Sequence, residues 1–380
     1  TSLKDDNVGG DTNADGSTTS PAAGNWYSIY LNASTASSTI EHAVIRYGGY
    51  NLPNVYKSNG YLNLSNSEVA TSSTAGIQQD AGTAYISNSD IHGQSYGVKL
   101  YGGTLNLSSN EIHNNTNFGV YAPNYNSSLD LTSNSFHDNT NGAVDLDFSG
   151  GLAFTHSGNS ASGSGKRGFI IHGSITSNRT WTTDNLPYII AAVTVNSGKI
   201  LTINPGVVVK FDTSSTINVN GKLEAQGTSG DKIYFTSIKD DVIGGDTNSD
   251  GSTTSPAAGN WSAISTSSTA SSTIDHAVIR YGGYSLPSVY NNGGLLTLSN
   301  SEIATSSSAG IQQDSGTGTV TNSDIHGNPY GVKVYGGTMT VSDSYIHNNS
   351  TYGVYKYASP NMDAEDNYWN SASGPYPTGT

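Results

Sequence analysis

A short apolar repeat recurs along the chain every 21 to 24 residues and constrains the fold more than any other feature of the sequence. Its first apolar positions are Val69, Ile91, Ile112 and Phe136. A second apolar residue follows a glycine in each repeat, and an alternating apolar pair precedes most repeats. Runs of two to five residues are too short for helices, so each repeat is predicted to form about three short strands.

Stacking of such repeats predicts an all-β solenoid in which each repeat of 21–24 residues makes one turn. Because neighbouring turns lie at strand spacing, the apolar positions form a column inside the solenoid. Asn66 and Asn88 fall at the turns. We expect these asparagines to stack on one another and to satisfy backbone amides of the turns.

The sequence also repeats on a longer scale. The stretch "TSLKDD" at residues 1–6 returns as "TSIKDD" at residues 236–241, an offset of 235 residues. Beyond Trp261 the offset falls to 234, because one residue is deleted. The solenoid is therefore predicted to be built from tandem copies of one large unit.

This long repeat sets the expected domain organisation. We expect residues 1–150 to form the β-helix part of the first tandem unit, 151–190 a junction, and 191–380 the β-helix of the second unit. Within the junction, residues 155–168 are rich in glycine and serine and are expected to be an exposed loop or the link between units. The solenoid is expected to continue through both units.

Five stretches carry a resemblance to a known family: "VTVNSGKILTINPGVVVKF", "INVNGKLEAQGT…KIYFTS", "DDVIGGDTNSDGSTTSPAAGNW", "IDHAVIRYGG" and "DNYWNSASGPY". They resemble right-handed parallel β-helix repeat proteins of the bacterial and archaeal cell surface. The resemblance implies that fold for essentially the whole chain. It leaves the activity open, because such proteins include adhesins, sheath and fibre proteins and polysaccharide lyases. Asn370 stands where these relatives usually have glycine, so the closing turn is expected to differ.

Composition excludes several classes of function. The chain has no cysteine, which excludes disulfides, thiolate metal sites and a cysteine nucleophile. The net charge of -14 argues against binding to nucleic acid and suits divalent cations. The sequence has no apolar run long enough to span a membrane. An extracellular or cell-surface location is expected.

A loop that resembles a calcium site occurs once in each unit. Its pattern Asp-x-Asn-x-Asp-Gly places oxygen ligands on alternate residues, and the glycine permits a sharp turn around a hard cation. The twelfth position is Ala22 in the first copy and Ala257 in the second, so the bidentate glutamate of an EF-hand is missing. We expect a structural calcium ion, with an Asx-rich turn without metal as the alternative. The predicted ligands are Asp11, Asn13, Asp15, Ser17, Asp246, Asn248, Asp250 and Ser252, and the upstream carboxylates Asp5, Asp6, Asp240 and Asp241 are further candidates.

Each of these loops is followed by "AAGNW", which ends in Trp26 in the first unit and Trp261 in the second. We expect the loop to be clipped onto the wall of the solenoid. The tryptophan is expected to cap the stack or return the chain to it.

Histidines follow the apolar position on several turns, and acidic residues precede it. The histidines are His92, His113, His137, His326 and His347, and the nearby acids are Asp90, Glu111 and Asp324. Neighbouring residues of a strand point to opposite faces, so both types flank an inward residue and face outward. Repetition on successive turns predicts a stacked surface column. A catalytic histidine and a transition-metal site are the alternatives, and no catalytic residue is assigned.

Basic residues raise the possibility of a lyase. Arg46 and Lys99, with copies at Arg280 and Lys333, invite comparison with β-helix polysaccharide lyases. Such enzymes abstract a proton next to a uronate with a basic residue beside a carboxylate-bound calcium ion. Both residues recur in the second unit, and two identical tandem active sites are uncommon. A calcium-dependent lyase is therefore the enzyme alternative rather than the expectation.

Tyrosines recur with the turns and number 24 in all. Aromatic faces bind sugar rings or pack against another subunit, although stacking within the chain explains a repeated tyrosine equally well. The candidate contact residues are Tyr47, Tyr50, Tyr96, Tyr101, Tyr281, Tyr284, Tyr330 and Tyr335.

Taken together, these patterns predict an extracellular structural solenoid, a surface fibre or sheath subunit stabilised by calcium. Thr1 corresponds to a position inside a strand of the second copy, so we expect an uncovered first turn to contact the last turn of another copy. End-to-end contact of this kind builds filaments. A glycan-binding adhesin that contacts a polysaccharide or cell-surface glycan is the alternative non-enzyme function.

Overall fold

The computed structural model describes residues 1–357 and 361–369, and over them the chain is a right-handed parallel β-solenoid. Its strands are parallel, and the one helical segment among those residues is a 3-10 turn at Phe148–Gly150. The predicted fold class is therefore confirmed. No helix in this described part is long and apolar enough to cross a membrane. Asn370 and its expected closing turn lie outside the described residues.

The chain divides into two compact units, which are described separately. Unit 1 comprises Thr1–Ile170 and Asp184–Leu186, and unit 2 comprises Ile171–Thr183 and Pro187–Thr380. The strands of unit 1 are β1 (Ile29–Leu31), β2 (Ser37–Glu41), β3 (Val44–Arg46), β4 (Val55–Lys57), β5 (Tyr61–Ser65), β6 (Glu68–Ala70), β7 (Ala75–Gln79), β8 (Thr83–Ser87), β9 (Asp90–His92), β10 (Tyr96–Leu100), β11 (Gly103–Ser108), β12 (Glu111–His113), β13 (Phe118–Ala122), β14 (Ser127–Thr132), β15 (Ser135–His137), β16 (Gly142–Asp147), β17 (Ala153–Ser157) and β18 (Ser160–Ser162).

Every third strand of unit 1 lies beside its equivalent on the next turn. The first sheet contains β1, β4, β7, β10, β13 and β16. The second sheet contains β2, β5, β8, β11, β14 and β17, and the third contains β3, β6, β9, β12, β15 and β18. Each turn therefore contributes one strand to each sheet, as the three-strand repeat predicts.

The repeated apolar residues form the core of unit 1. Ile45, Val69, Ile91, Ile112 and Phe136 are register partners on successive strands of the third sheet. Each has 5 % or less of its surface exposed. Burial of such a side chain contributes about 1.5–3 kcal/mol. The predicted interior column is thus confirmed.

The glycine before the second apolar position is explained by close packing. A Cβ atom on Gly97 would lie 2.5 Å from the carbonyl oxygen of Gly119 and 2.6 Å from Cγ2 of Ile112. No side chain fits in that space, because neighbouring turns approach too closely there. The repeat therefore requires glycine for steric reasons.

Side chains at one turn of unit 1 form a hydrogen-bonded ladder along successive turns, one residue later in the sequence than predicted. Asn66 and Asn88 adopt left-handed backbone angles, with φ of 50° and 48°, and are exposed. The stacked side chains belong to the following position, which points inward. A backbone N–H of each member donates to a side-chain oxygen of the next member along Ser67, Ser89, Asn110, Asn134, Asn159 and Asp184. The backbone amides of these turns are thus bound by the following position rather than by Asn66 and Asn88, and the stacking of these two side chains stays a prediction.

The chain passes into unit 2 within β19 (Lys166–Ile175). The following strands are β20 (Arg179–Trp181), β21 (Tyr188–Val195), β22 (Ile200–Ile203), β23 (Val208–Phe211), β24 (Thr216–Val219), β25 (Lys222–Gln226), β26 (Ile233–Ser237), β27 (Ala263–Ser267), β28 (Ser271–Asp275), β29 (Ala277–Arg280), β30 (Val289–Ser299), β31 (Glu302–Ala304), β32 (Ala309–Thr321), β33 (Asp324–His326), β34 (Tyr330–Val334), β35 (Thr338–Ser342), β36 (Tyr345–His347), β37 (Tyr352–Lys356) and β38 (Asn361–Asp363).

Unit 2 is also built around a column of buried apolar residues. Ile217, Ile264, Val289, Ile311 and Val332 are register partners on successive turns. All five are almost completely buried. Parallel pairing and an apolar column therefore define each unit by itself.

The expected junction, residues 151–190, contains strands rather than a long loop. Residues 155–168 hold the end of β17, all of β18 and the start of β19. The division between the two units falls shortly afterwards, inside β19. The domain boundaries given above stay predictions.

Candidate functional site

Each unit carries an Asp loop, residues 11–19 in unit 1 and 246–254 in unit 2, that is fixed by its own acidic side chains. In unit 1 the carboxylate of Asp11 accepts hydrogen bonds from the backbone N–H groups of Asp15 at 3.0 Å and Gly16 at 2.9 Å. Nδ2 of Asn13 donates to Oδ2 of Asp15 over 2.8 Å. The unit 2 loop repeats these contacts at 3.1, 3.1 and 2.8 Å. The alternating acidic pattern therefore produces one defined geometry twice.

Three carboxylates converge at each Asp loop. One oxygen atom from each member of a trio lies within 4.8 Å of the others, and the trios are Asp6, Asp11 and Asp15 in unit 1 and Asp241, Asp246 and Asp250 in unit 2. In unit 1, Oδ1 of Asp6 and Oδ1 of Asn13 are buried and have no hydrogen-bond partner among the described residues. The equivalent oxygens of Asp241 and Asn248 are in the same situation. Buried oxygens without donors, beside several carboxylates, suit a hard cation such as Ca²⁺.

The carboxylates at the Asp loop of unit 2 repel one another. Burial raises the pKa of Asp241, and the negative charges of Asp246 and Asp250 raise it further. The pKa of Asp250 is lowered, because the Thr254 hydroxyl and several other donors bind its carboxylate. A divalent cation at this position would relieve the repulsion between the carboxylates.

The upstream candidate carboxylates fall into two groups. Asp6 and Asp241 belong to the trios, whereas Asp5 and Asp240 make other contacts. Oδ2 of Asp240 accepts from the Thr236 hydroxyl at 2.6 Å, and its Oδ1 accepts from the backbone N–H of Val242 at 3.2 Å. Asp5 is buried and accepts a hydrogen bond from the Thr1 hydroxyl. These two carboxylates organise the chain that leads into the loop.

The serine at the seventh position of each Asp loop has a left-handed backbone conformation. Ser17 and Ser252 have φ of 68° and 75°, and both residues are exposed. The hydroxyls of Thr19 and Thr254 instead bind the carboxylates of Asp15 and Asp250. These threonines were not among the ligands predicted from the sequence, although "DGSTT" is identical in both copies.

The tryptophans after the Asp loops contact the wall of their own unit. Trp261 is completely buried and stacks on Phe211, with ring centroids 4.0 Å apart. Its indole N–H donates to the backbone oxygen of Arg280 at 2.8 Å. Trp26 donates in the same way to Arg46 at 2.7 Å. Trp261 thus returns the chain to the core, as expected.

A buried lysine lies beneath the Asp loop of unit 2. Nζ of Lys210 donates to the backbone oxygens of Asp240 at 2.9 Å and Gly245 at 2.5 Å. Burial lowers the pKa of Lys210 to about 8, although the neighbouring aspartates act in the opposite direction. Lys210 was missed at the sequence level. Its position within the apolar run "VVVKF" could have identified it as a buried lysine.

The histidines of unit 1 form the predicted stacked column. The rings of His92 and His113 are 4.8 Å apart with planes inclined by 13°, and those of His113 and His137 are 4.4 Å apart at 12°. Each ring faces a carboxylate on an earlier turn. The pairs, with their Nε2–oxygen distances, are His92–Glu68 at 3.3 Å, His113–Asp90 at 2.8 Å and His137–Glu111 at 2.8 Å.

At the end of this column, the pairing of His137 with Glu111 shifts the pKa values of both side chains. Burial lowers the pKa of His137, but hydrogen bonds to Glu111 and Asp138 outweigh that effect and the pKa is raised. The pKa of Glu111 is lowered, chiefly by its hydrogen bond with His137. These pairings balance the charges of the imidazoles and carboxylates along the surface column.

The basic residues considered for a lyase lie on different sheets of unit 1. Arg46, in the third sheet, binds Glu68 through two contacts of 2.7 and 2.6 Å. This pairing raises the pKa of Arg46 and lowers that of Glu68. Lys99, in the first sheet, lies 4.1 Å above the ring of Tyr96. The structure therefore does not bring Arg46 and Lys99 together. The Arg–Glu pair recurs in unit 2 as Arg280 and Glu302.

The candidate tyrosines separate into stacked and exposed sets. Tyr96 packs against Tyr121 at 5.2 Å, and Tyr101 packs against Tyr125 at 5.3 Å. The copies Tyr330 and Tyr335 pack against Tyr355 at 5.7 Å and Tyr357 at 5.0 Å. Tyr50 and Tyr284 are 59 % and 51 % exposed, whereas Tyr47 and Tyr281 occupy turns with φ of 65° and 67°.

The sequence matches the family described as a right-handed β-helix region over residues 27–185 and 262–375. The chain belongs to this family. The right-handed β-helix family includes both enzymes and non-enzymes, so membership does not decide whether the chain is catalytic. No curated protein and no solved structure matches this sequence.

Proposed function

We propose that this right-handed β-helix protein is an extracellular structural solenoid, a fibre or sheath subunit, in which each Asp loop holds one structural calcium ion. The observation that carries the proposal is the repetition of one loop geometry on both units. Nδ2 of Asn13 lies 2.8 Å from Asp15 and 3.3 Å from Thr19, and Asn248 has the same distances to Asp250 and Thr254. A structural clip is expected once per unit, whereas an active site is usually single.

The ligand chemistry supports calcium. Each Asp loop combines three carboxylates with a buried amide oxygen that has no hydrogen-bond donor among the described residues. Ca²⁺ takes six to eight oxygen ligands, which backbone carbonyls and water can complete. The twelfth position of the EF-hand pattern is alanine in both loops, so weak binding is expected. Weak sites suit extracellular modules, where calcium is abundant.

Thermal unfolding in the presence and absence of calcium tests the proposal. A ligand that binds only the folded state at 100 times its Kd stabilises that state by about 2.7 kcal/mol per site. Calcium should therefore raise the Tm of the full chain, and excess chelator should lower it. Magnesium at equal concentration is the matched control, since Mg²⁺ demands a tighter octahedral site. A Tm that is the same in calcium and in chelator would contradict structural calcium.

Contact between the ends of separate copies remains the proposed mode of assembly. A subunit that repeats its own architecture is suited to serial stacking, and non-closing contacts between copies produce filaments. Negative-stain microscopy over a range of protein concentrations in calcium provides the test. Single particles at every concentration would count against filaments and leave the calcium proposal intact.

Glycan binding is the second candidate function, because exposed aromatic rings occur in pairs. Tyr61 and Tyr85 are 40 % and 46 % exposed, and their rings are 5.8 Å apart. Aromatic faces of this kind contact sugar rings. A glycan array compares the wild type with Y85A, and Tyr188→Phe, at a buried position, serves as a control for folding. Retention that is unchanged in Y85A would exclude this pair as the binding surface.

The lyase alternative is tested directly by incubation with uronate polysaccharides. Formation of the unsaturated product would be followed by its ultraviolet absorbance. The firm pairing of Arg46 with Glu68 favours a non-enzyme. Calcium-dependent product formation that is lost in R46A would overturn that preference.

A further inference from the structure

The third sheet of unit 1 carries two outward columns, one acidic and one basic. Glu68, Asp90 and Glu111 are register partners on successive turns. His92 and His113 are register partners in the neighbouring column. Because the two columns flank an inward apolar residue on each turn, the carboxylates and imidazoles lie side by side on one surface.

Two imidazoles converge on the carboxylate of Asp90. Nε2 of His113 lies 2.8 Å from Oδ1 of Asp90, and Nε2 of His92 lies 3.8 Å from Oδ2. One ligand atom from each of the three residues lies within 4.8 Å of the other two. The side chains of Asp90, His92 and His113 are 45, 28 and 15 % exposed, so an ion from solvent can reach them.

This set matches the coordination preferences of zinc. Zinc binds imidazole nitrogen and carboxylate oxygen at about 2.0–2.2 Å, and a tetrahedral site holds its ligand atoms about 3.3 Å apart. The pair at 2.8 Å and the pair at 3.8 Å lie on either side of that spacing, so small side-chain movements would complete the site. Three protein ligands leave a fourth position for water.

A neighbouring ion pair keeps a competing carboxylate occupied. Glu68 lies 3.3 Å from Nε2 of His92 but is held by Arg46 through two contacts. The negative charge of Glu68 is therefore already balanced. His92 can turn from Glu68 toward Asp90 without leaving that carboxylate unpaired.

One feature limits the affinity. Nδ1 of His113 is buried and has no hydrogen-bond partner among the described residues. When Nε2 binds a metal, the proton of a neutral imidazole resides on Nδ1, where it would lack an acceptor. The cost of that unsatisfied donor makes zinc binding weaker than at a site whose second imidazole nitrogen is hydrogen-bonded.

We propose that Asp90, His92 and His113 of unit 1 bind one zinc ion. This site is distinct from the Asp loops, which offer only oxygen ligands. It concerns a different metal on a different part of unit 1, so it stands independently of the calcium proposal.

Unit 2 supplies a natural comparison. The copies of the three ligands are Asp324, His326 and His347. Nε2 of His326 lies 3.4 Å from Glu302, and the ring of Tyr345, which replaces Glu111, stacks on His347 at 3.9 Å. Nε2 of His347 lies 3.0 Å from Oδ1 of Asp324, close to the 2.8 Å between His113 and Asp90, but among the described residues the ligand atoms of the three unit 2 side chains do not all come within 4.8 Å of one another. Zinc binding is therefore assigned to unit 1 alone.

Calorimetric titration of the full chain with Zn²⁺ at about pH 7.5 tests the assignment. Saturating calcium would be present so that the Asp loops do not contribute. The wild type should show one binding event. Removing a ligand should weaken it by at least the roughly tenfold loss expected for an outer-shell partner. The variants are H92A, H113A and D90N, and the last retains an acceptor for His113. H347A, the matched change in unit 2, should bind like the wild type.

The structural readout uses Co²⁺ in place of Zn²⁺. Cobalt in a four-coordinate site with imidazole ligands gives stronger visible absorption than hydrated cobalt, and H113A should lose that band. A normal Tm of each variant without metal would show that the fold is intact. If H113A does not fold, D90N carries the test. Titrations that are unchanged in D90N and H113A, or an equal loss in H347A, would overturn the proposal.

Discussion

Oδ1 of Asn134 accepts two hydrogen bonds from Asn110 on the preceding turn, one from its backbone N–H and one from its Nδ2, both at 3.0 Å. Nδ2 of Asn134 in turn donates to the backbone oxygen of Leu107 at 2.8 Å. Both asparagines are almost completely buried. The side chain of Asn134 therefore binds two donors and one acceptor of the preceding turn.

Replacement of Asn134 by alanine should strongly destabilise unit 1. The change removes the acceptor of the Asn110 backbone N–H, one of the two acceptors of its Nδ2 and a donor to the Leu107 carbonyl, at a cost of about 3 kcal/mol. Urea unfolding and amide hydrogen exchange near residues 110 and 134 would measure the effect. N88G is the matched control at an exposed left-handed turn, where glycine is well tolerated and a change within about 0.5 kcal/mol is expected. Equal destabilisation by both variants would contradict the assignment of the ladder.

Unit 1 should lose stability in acid through Asp184. Burial raises the pKa of this carboxyl, but hydrogen bonds from His156 and Asn159 lower it below its usual value. A lowered pKa in the folded state means that the stabilisation is present above about pH 4 and is lost as the pH falls through the folded value.

Acid titration of D184N tests this dependence. The variant should be less stable near neutral pH and should change less between about pH 5 and about pH 3, because it lacks the titrating group. E41Q, at an exposed position, is the control. An acid-unfolding curve of D184N that parallels the wild type would assign the acid sensitivity to other groups.

Lys57 should destabilise unit 1 below about pH 8. It is completely buried, its Nζ donates to the backbone oxygen of Ala81 at 2.5 Å, and burial lowers its pKa to about 8. Between that value and about 10.4 the unfolded chain binds more protons than the folded chain, so stability should rise with pH. Unit 2 has Asn291 at the equivalent position, and its Nδ2 donates to Oε1 of Gln313 at 3.0 Å.

K57N should therefore stabilise unit 1 by about 1–2 kcal/mol at neutral pH, since it removes a buried charge and places a donor beside Oε1 of Gln79. That oxygen has no hydrogen-bond partner among the described residues. The rise in stability between about pH 8 and about pH 10 should also become smaller. N291K is the reciprocal variant and should destabilise unit 2. A lower Tm for K57N at pH 7 would refute this account.

Calcium binding should distinguish Asp241 from its neighbour. D241N removes a carboxylate of the trio and should weaken calcium binding by roughly tenfold, because affinity depends on the number of charged ligands. D240N should leave the affinity nearly unchanged, since an asparagine can still accept from Val242 and donate to Thr236. Calorimetric titration of both variants, with D6N and D5N as the corresponding pair in unit 1, would provide the comparison. Similar losses in both members of a pair would argue against the trios.

The sequence was sufficient for the repeat, the strand number per turn and the core column, because burial imposes its period directly on residues such as Val69 and Ile91. The exact residue at each turn position depended on backbone geometry, which the repeat period does not encode. The residue that binds the backbone amides of the turn was expected to be Asn66 rather than Ser67, because both are polar and only a left-handed φ distinguishes their directions.

The Asp loops show the same limit. Alternation identified Asp11, Asn13 and Asp15, whereas the choice of Asp6 over Asp5 required the three-dimensional path of the chain. Lys210 was missed because its role depends on the carbonyls of a distant segment. Local patterns therefore indicated the type of each site, and contacts between turns determined its members.

The buried ladder of unit 1 has an electrical direction. Nδ2 of Asn110 donates to Asn134, Nδ2 of Asn134 donates to Asn159 at 3.1 Å, and Nδ2 of Asn159 donates to Asp184 at 3.1 Å. The side-chain amide dipoles therefore align, and hydrogen bonds in such a chain polarise one another. Their positive end meets a carboxylate, as an acidic residue meets the amino end of a helix. A row of neutral amides thus ends in a matching negative charge, which stabilises the asparagines nearest to it most strongly.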